Sequence, residues 1–246
     1  MIGSRYCLSE SIKIGVPGST SMSAYLARPD GTHPRASVIV GMELFGVTGH
    51  VRDICDRLAA HGYAAIAPDF YHCTASGIEL AADDHGRARG FELLQQLTRA
   101  RALNDLAATI EWIAVNRAPL AGMVGLSVGG HIAYLAAAHF ELPAVAVFYG
   151  GWIPTTDITI SQPEPTIAAT AQISGRVQMF VGSDDPIVPA EHVRQITDAL
   201  TNAGTEHHVI EYPGVGHGFL CDRRASFHPE AADDAWNRLL WFLDRS

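Results

Sequence analysis

The sequence predicts an α/β fold in which a mostly parallel central sheet is covered by helices on both faces. From residue 37 onward, apolar runs of strand length alternate with longer segments whose apolar residues recur at helical spacing. This alternation is typical of parallel sheets, because each crossover between parallel strands needs room for a helix. The 246 residues contain no repeat and no domain-scale linker. We therefore expect one domain over residues 1–246.

The first elements are two short strands joined by a turn. "SIKIGV" and "MSAYLA" flank "PGST", whose Pro and Gly are typical of turns. The later strands are predicted at 37–42, 62–68, 122–124, 144–150, 177–182 and 207–212. The helices are predicted at 51–60, 91–114, 129–139, 191–203 and 231–243.

Two segments fit neither pattern. Residues 72–90 are polar, and residues 151–172 contain three prolines and show no clear period. We expect the second segment to be an irregular excursion rather than a large cap domain. Whether it moves as a lid stays open, because proline-rich loops can be rigid or mobile.

The composition argues against several classes of partner. The net charge is −9, and no basic run is present to bind nucleic acid or an anionic membrane. No apolar stretch approaches the length of about 18 residues that a membrane-spanning helix needs. The start of the chain lacks the pattern of a signal peptide, so we expect a cytoplasmic protein, either a monomer or a small homo-oligomer. The four cysteines lack zinc-site spacing, and we expect neither a metal nor a cofactor.

One serine lies where such a fold can place a nucleophile. "GLSVGG" puts Ser127 between Gly125 and Gly129, directly after a predicted strand and before a predicted helix. In a G-x-S-x-G elbow the glycines leave room for a tight, strained turn. The N-terminus of the following helix directs N–H groups toward developing negative charge. A plain glycine-rich turn is the alternative interpretation. The residues expected near Ser127 decide between this turn and a nucleophile elbow.

Further reactive groups follow later strands in the order of a hydrolase triad. Asp184 and Asp185 come directly after "VQMFVG", and His217 lies on a glycine-rich loop after "HHVIEY". Because the carboxyl ends of parallel strands share one edge of a sheet, we expect Ser127, one aspartate and His217 to lie together. A serine needs an imidazole to take its proton and a carboxylate to orient that imidazole. This order is the one expected of α/β-hydrolases.

Several stretches together resemble the dienelactone hydrolase family of α/β-hydrolases over nearly the whole chain. They are "VIVGMELFGV", "LAAHGYAAIAPDFY", "GLSVGG", "GSDDPIVP", "GHGF" and "HPEAADDAWNRLLWFL". The resemblance implies the α/β-hydrolase fold. It also implies a D-x-x-V-P pattern, in which Val188 and Pro189 select Asp185 as the triad aspartate. Asp184 is then interpreted as a turn residue.

The oxyanion of an acyl-transfer reaction is expected to be stabilised by two backbone N–H groups. The residue after the nucleophile, Val128, supplies one. The resemblance places the second at Leu44.

The nucleophile is the main departure from the family pattern. The best-known members carry cysteine at the position of Ser127, and there a glutamate at the position of Glu43 contacts the resting thiol. A serine hydroxyl cannot be held as a stable anion near neutral pH, so we expect His217 to act as an ordinary general base. Glu43 would then orient Ser127 or an arginine, or shape the pocket. A carboxylate buried against a basic partner, with no further role, is an equally open interpretation.

Substrate contacts depart from the family as well. The resemblance matches Arg87 to the first of two arginines that hold the carboxylate of dienelactone. The position of the second arginine is Cys221, and the tyrosine of the family is Phe91 in this chain. Arg223 and Arg224 lie near Cys221 and are alternative contacts, and Arg87 could equally be a solvated surface residue. These departures argue against dienelactone itself as the substrate.

The sequence therefore predicts a hydrolase of small carboxylic esters or lactones that acts through an acyl-enzyme on Ser127. The partner is a small molecule, and Phe45 and Trp152 are candidates for an apolar pocket wall, although large aromatic residues are often simply buried. One alternative is an acyltransferase or a thioesterase acting on a biosynthetic intermediate. A second alternative is a non-catalytic ligand-binding module of the same fold.

Overall fold

A computed structural model describes residues 7–116 and 119–245, which are built around an eight-stranded sheet. The strands are β1 (Cys7–Ile14), β2 (Met22–Pro29), β3 (Ala36–Gly41), β4 (Tyr63–Pro68), β5 (Leu120–Leu126), β6 (Ala144–Phe148), β7 (Arg176–Gly182) and β8 (His207–Tyr212). Their order across the sheet is β1-β2-β4-β3-β5-β6-β7-β8. β2 pairs antiparallel with β1 and β4, and all other neighbours are parallel. The predicted α/β fold with a mostly parallel sheet is confirmed.

Helices cover both faces of this sheet. They are α1 (Gly49–Ala60), α2 (His72–Ala75), α3 (Asp84–Leu94), α4 (Arg99–Val115), α5 (Val128–Ala137), α6 (Ala190–Asn202) and α7 (Pro229–Asp244). The step from β3 to β4 runs in one direction across the sheet, and the later steps between parallel strands run in the other. Because such crossovers are right-handed, α1 lies on one face and α4, α5 and α6 lie on the other. α7 joins α1, since the guanidinium of Arg57 lies 3.7 Å from the ring centroid of Trp236.

The central strands are apolar because both of their faces are covered. Every residue of β4 and β6 is buried, whereas exposed residues recur in the edge strands β1 and β8. Among the described residues, no helix has the length and apolar content required to cross a bilayer. The carboxyl ends of β3, β5, β6, β7 and β8 share one edge of the sheet, and their loops carry the groups described below.

The single helix expected after the polar segment is in fact two helices, α3 and α4. The side chain of Thr98 accepts a hydrogen bond from the N–H of Arg101 (3.3 Å) and caps the start of α4. Leu94, Leu97 and Ala102 are buried on both sides of the break. The apolar spacing therefore continues through a point at which the backbone changes direction. The polar segment itself contains α2 and the first turns of α3.

The connection between β6 and β7 is irregular, with two short 3₁₀ helices at Thr159–Ser161 and Thr166–Gln172, and the described residues contain no separate cap domain. This connection is tied to α5 through the fully buried His131. Nδ1 of His131 donates to the carbonyl of Gly151 (2.8 Å), so Nε2 accepts from the hydroxyl of Thr166 (2.8 Å). Burial lowers the pKa of His131 from 6.5 to about 4, which keeps the imidazole neutral near pH 7.

His131 should make the stability of the protein depend on pH below neutrality. Above pH 6.5 the imidazole is neutral in both states, whereas between pH 6.5 and about 4 only the unfolded chain takes up the proton. We expect this residue to account for a loss of about 2 kcal/mol in the free energy of unfolding between pH 7 and pH 4.5. Urea denaturation at several pH values measures the effect.

The matched comparison is His131→Gln with His33→Gln, which removes an exposed histidine. His131→Gln should lower the stability at pH 7 but flatten its dependence on pH. His33→Gln serves as the control for the loss of one imidazole. Its free energy of unfolding should depend on pH as steeply as that of the unsubstituted protein. If the free energy of unfolding depended equally on pH in the unsubstituted protein and in His131→Gln, His131 would not be the cause of that dependence.

Candidate active site

Ser127 lies at the turn between β5 and α5 in a strained backbone conformation. Its φ of 55° and ψ of −113° fall in a region that residues other than glycine rarely adopt. Its N–H donates to the carbonyl of Phe148 at the end of β6 (2.9 Å). A Cβ at Gly125 would lie 1.9 Å from the carbonyl oxygen of Gly129, and a Cβ at Gly129 would lie 2.3 Å from the backbone of Gly41. The turn therefore requires glycine at both flanking positions.

A chain of hydrogen bonds leads from Ser127 to two residues on later loops. Oγ of Ser127 lies 2.9 Å from Nε2 of His217, and Nδ1 of His217 lies 2.7 Å from Oδ2 of Asp185. Because a carboxylate only accepts, Nδ1 carries the proton and Nε2 is left to accept from the serine hydroxyl. This arrangement can take the proton of the serine and stabilise the resulting imidazolium.

The two aspartates after β7 have different surroundings. Asp185 is buried, and its Oδ1 accepts from the N–H groups of Ile187 (2.8 Å) and Val188 (3.2 Å). These two bonds fix the carboxylate so that Oδ2 faces the imidazole. Asp184 is exposed and accepts from the hydroxyl of Ser183 (2.9 Å). The structure therefore brings Asp185, and not Asp184, to His217.

Ser127 and His217 line a pocket of about 460 Å³, which is large enough for a small molecule. Four of the five side chains that the sequence places near the substrate reach its wall, namely Phe45, Arg87, Phe91 and Trp152, whereas Glu43 does not. Leu44, predicted to act through its backbone N–H, also lines the wall. Phe91 and Trp152 meet edge to face with ring centroids 6.0 Å apart. The wall is thus largely apolar and aromatic, with guanidinium groups at Arg87, Arg223 and Arg224.

The two candidate oxyanion donors belong to segments that follow β3 and β5. Val128 is the first residue of α5, where a backbone N–H has no acceptor within the helix. Leu44 belongs to the loop after β3, and its own carbonyl accepts from the hydroxyl of Tyr71 (3.2 Å). Its placement in the wall beside Ser127 is compatible with an N–H directed at the substrate.

Glu43 contacts an arginine rather than Ser127. The carboxylate is fully buried, and its Oε2 accepts from the guanidinium of Arg224, which is itself mostly buried. Arg224 also lies 4.7 Å from the ring centroid of Phe45 and forms part of the pocket wall. Of the roles that the sequence leaves open for Glu43, the observed contact fits those in which its carboxylate pairs with an arginine.

The other guanidinium groups have different partners. Arg223 forms an exposed ion pair with Asp53. Arg87 is exposed on α3 and has no ion-pair partner in the described ranges 7–116 and 119–245. Cys221 is buried outside the wall of the Ser127 pocket and lines a smaller neighbouring cavity of about 160 Å³.

Sequence reasoning missed two residues near this site. Tyr149 directly follows β6 with a φ of 41°, and its buried ring meets the ring of His217 edge to face at 5.0 Å. Burial raises the pKa of Tyr149 well above its usual value, so the phenol stays protonated. The position after a strand end was a signal that could have identified it. His50, in the first turn of α1, is buried with a lowered pKa and carries no comparable sequence signal.

Comparison with known proteins agrees with the family resemblance that the sequence motifs indicate. The dienelactone hydrolase family model matches residues 22–246. A Synechocystis sp. protein named "Putative carboxymethylenebutenolidase" is 39% identical over 225 residues, which cover 89% of each chain. The Yersinia pestis protein of the same name is 35% identical over 90% of this chain and 83% of its own. A crystal structure of a "Putative Dienelactone Hydrolase" from Klebsiella pneumoniae superposes with a TM-score of 0.88 and 31% identity, covering 98% of this chain and all of the other.

The pairing of Glu43 with Arg224 should matter for stability. Arg224→Gln leaves a buried carboxylate without its counter-charge, and we expect the free energy of unfolding to fall by about 3 kcal/mol. Arg223→Gln is the matched control, since its exposed pair should contribute less than about 1 kcal/mol. The double variant Glu43→Gln/Arg224→Gln should recover most of the loss. Urea denaturation at pH 7 measures all three, and equal effects at Arg223 and Arg224 would contradict the expectation.

Proposed function

The chain belongs to the dienelactone hydrolase family, and from this premise we propose that it is a serine hydrolase of small carboxylic esters or lactones. The observation that carries the proposal is the hydrogen-bonded chain from Ser127 through His217 to Asp185 in the wall of a pocket. Hydrogen bonds of 2.9 and 2.7 Å suit proton transfer without rearrangement of the side chains.

In the first half of the proposed reaction, Oγ of Ser127 attacks the carbonyl carbon of the substrate. Nε2 of His217 accepts the serine proton, and Asp185 stabilises the imidazolium without itself taking the proton. The oxyanion is stabilised by the N–H groups of Val128 and Leu44. When the tetrahedral intermediate collapses, His217 returns the proton to the leaving alcohol, and an acyl-enzyme remains on Ser127.

In the second half, water replaces the alcohol. His217 takes a proton from the water, the hydroxide attacks the acyl carbon, and the carboxylic acid leaves as Ser127 recovers its proton. For a lactone, the alcohol and the acid belong to one product. The strained backbone at Ser127 is compatible with this role, because it holds the hydroxyl at the edge of the sheet through both steps.

The proposed substrates carry a negative charge away from the scissile bond. Three guanidinium groups line the pocket, and two of them already pair with carboxylates: Arg224 with Glu43 and Arg223 with Asp53. Arg87 has no ion-pair partner among the described residues, so its charge is available to a ligand. We therefore assign Arg87 to the recognition of an anionic group, while Phe91 and Trp152 contact the apolar part of the acyl chain.

A fluorophosphonate probe tests the assignment of the nucleophile. We expect one adduct, located at Ser127 by mass spectrometry, and its loss in Ser127→Ala and His217→Ala. Ser226→Ala is the matched control, because this serine lines the same pocket and should leave the labelling intact. Asp185→Asn should lower kcat for an aryl ester by about four orders of magnitude, since the imidazole loses its orienting carboxylate.

Two outcomes would contradict this assignment. An adduct on another residue would displace Ser127 as the nucleophile. The absence of any adduct, together with no hydrolysis of short aryl esters, would favour a ligand-binding module.

The role of Arg87 is tested with two esters that differ in charge. 4-Nitrophenyl hemisuccinate carries a free carboxylate, and 4-nitrophenyl butyrate has a similar length without it. Arg87→Gln should raise KM for the hemisuccinate about fivefold, equivalent to about 1 kcal/mol, and leave the butyrate unchanged. Arg89→Gln removes an arginine from the same helix that does not line the pocket, and it should change neither value. Equal effects on both esters would show that Arg87 does not recognise charge.

A further inference from the structure

Glu43, His50 and Cys221 form a buried cluster behind the wall of the Ser127 pocket. Only 0%, 5% and 3% of their respective surfaces are exposed, and Cys221 is remote in sequence from Glu43 and His50, which lie seven residues apart. One ligand atom of each lies within 4.8 Å of the others. We propose that this cluster, called here the E-H-C cluster, binds a divalent metal ion of the zinc class at a site distinct from the Ser127–His217–Asp185 chain.

The spacing of the E-H-C cluster suits one small cation. Three atoms within 4.8 Å of one another share a point about 2.8 Å or less from each, whereas zinc binds sulfur, nitrogen and oxygen at about 2.0–2.3 Å. A contraction of about 0.8 Å or less at each side chain therefore closes the site. Movements of this size need only small side-chain torsions and leave the backbone in place.

Unpartnered polar atoms supply an independent reason for a ligand. Oε1 of Glu43, Nε2 of His50 and the hydroxyl of Tyr149 are buried and have no hydrogen-bond partner among the described residues. Burying a polar group without a partner costs about 1–3 kcal/mol. A cation that accepts lone pairs from Oε1 of Glu43 and Nε2 of His50 gives both of these atoms a partner.

The donor set selects the class of metal. A thiolate, an imidazole and a carboxylate together suit Zn²⁺ or Co²⁺, whereas Mg²⁺ and Ca²⁺ prefer oxygen ligands alone. Cys221 is a free thiol that would release its proton to solvent on binding. The thiolate and the Glu43 carboxylate then offset two of the three positive charges that the ion and Arg224 contribute. Arg224 occupies the other oxygen of Glu43, Oε2, so Oε1 stays available.

The surroundings leave room for a fourth ligand. His50 and Cys221 line the neighbouring cavity of about 160 Å³, which shares Phe45, Arg223 and Arg224 with the Ser127 pocket. A zinc ion with three protein ligands commonly keeps a water in the fourth position. The cavity provides space for that water and a route by which the ion can enter.

Metal binding to the full chain tests the proposal directly. After chelator treatment, calorimetric titration with Zn²⁺ should show one equivalent bound, and Co²⁺ should give a thiolate-to-cobalt charge-transfer band in the near ultraviolet. Cys221→Ser should abolish the band and weaken Zn²⁺ binding at least tenfold, and His50→Gln should weaken it similarly. Cys73→Ser is the matched control, because Cys73 is an exposed cysteine that lies next to a histidine but outside the E-H-C cluster.

Thermal unfolding separates loss of the site from loss of the fold. Zn²⁺ should raise the Tm of the unsubstituted protein and of Cys73→Ser, and it should leave the Tm of Cys221→Ser and His50→Gln unchanged. If Cys221→Ser does not fold, His50→Gln carries the comparison. His217→Ala should still bind the ion, which distinguishes the E-H-C cluster from the catalytic imidazole.

Three results would overturn the proposal. The first is the absence of saturable Zn²⁺ binding, which would identify the cluster as a hydrated polar cavity. The second is Zn²⁺ binding that persists undiminished in both Cys221→Ser and His50→Gln. The third is binding that disappears in Cys73→Ser or in His217→Ala, which would place the ion elsewhere.

Discussion

The strained turn at Ser127 exists because backbone segments approach one another with no side chains between them. Gly41, Gly125 and Gly129 leave this space, so that α5 begins directly against β3 and β5. A residue with positive φ other than glycine costs about 1–3 kcal/mol, and the burial of α5 along its whole length offsets that cost. The position of the serine hydroxyl is therefore set by the packing of a helix on a sheet.

Two buried carboxylates near this turn are stabilised in different ways. Asp185 accepts two backbone N–H bonds and faces His217, so its orientation is fixed by the loop after β7. Glu43 accepts no backbone N–H bond from the part of the chain that the structure describes, and its charge is balanced by Arg224. The first carboxylate is therefore suited to orienting an imidazole, and the second to holding a guanidinium in the pocket wall. Ser127, the proposed nucleophile, needs no anionic partner, and the pairing of Glu43 with Arg224 is compatible with that proposal.

Anchoring of the β6–β7 connection links the core to the pocket. His131 on α5 binds the backbone at Gly151, next to Trp152, and the hydroxyl of Tyr134 lies 2.6 Å from that of Thr170. Trp152, which also has positive φ, is thereby held against Phe91 of α3. The aromatic wall of the pocket thus rests on a helix that begins at Ser127, so the shape of the pocket and the position of the serine depend on the same element.

The sequence by itself determined the order of strands and helices, because apolar periodicity reports which faces are buried. It also predicted that Ser127, His217 and one of Asp184 and Asp185 lie together, since each follows a parallel strand and all such ends share one edge. The family resemblance selected Asp185. The break at Thr98 was not predicted, because the apolar spacing is unchanged where the backbone turns. The pairing of Glu43 with Arg224 joins residues 181 positions apart, and the E-H-C cluster joins Cys221 to the segment that holds Glu43 and His50. Only the tertiary structure decided these contacts, because they depend on how side chains of distant loops pack in three dimensions, and no local pattern records that packing.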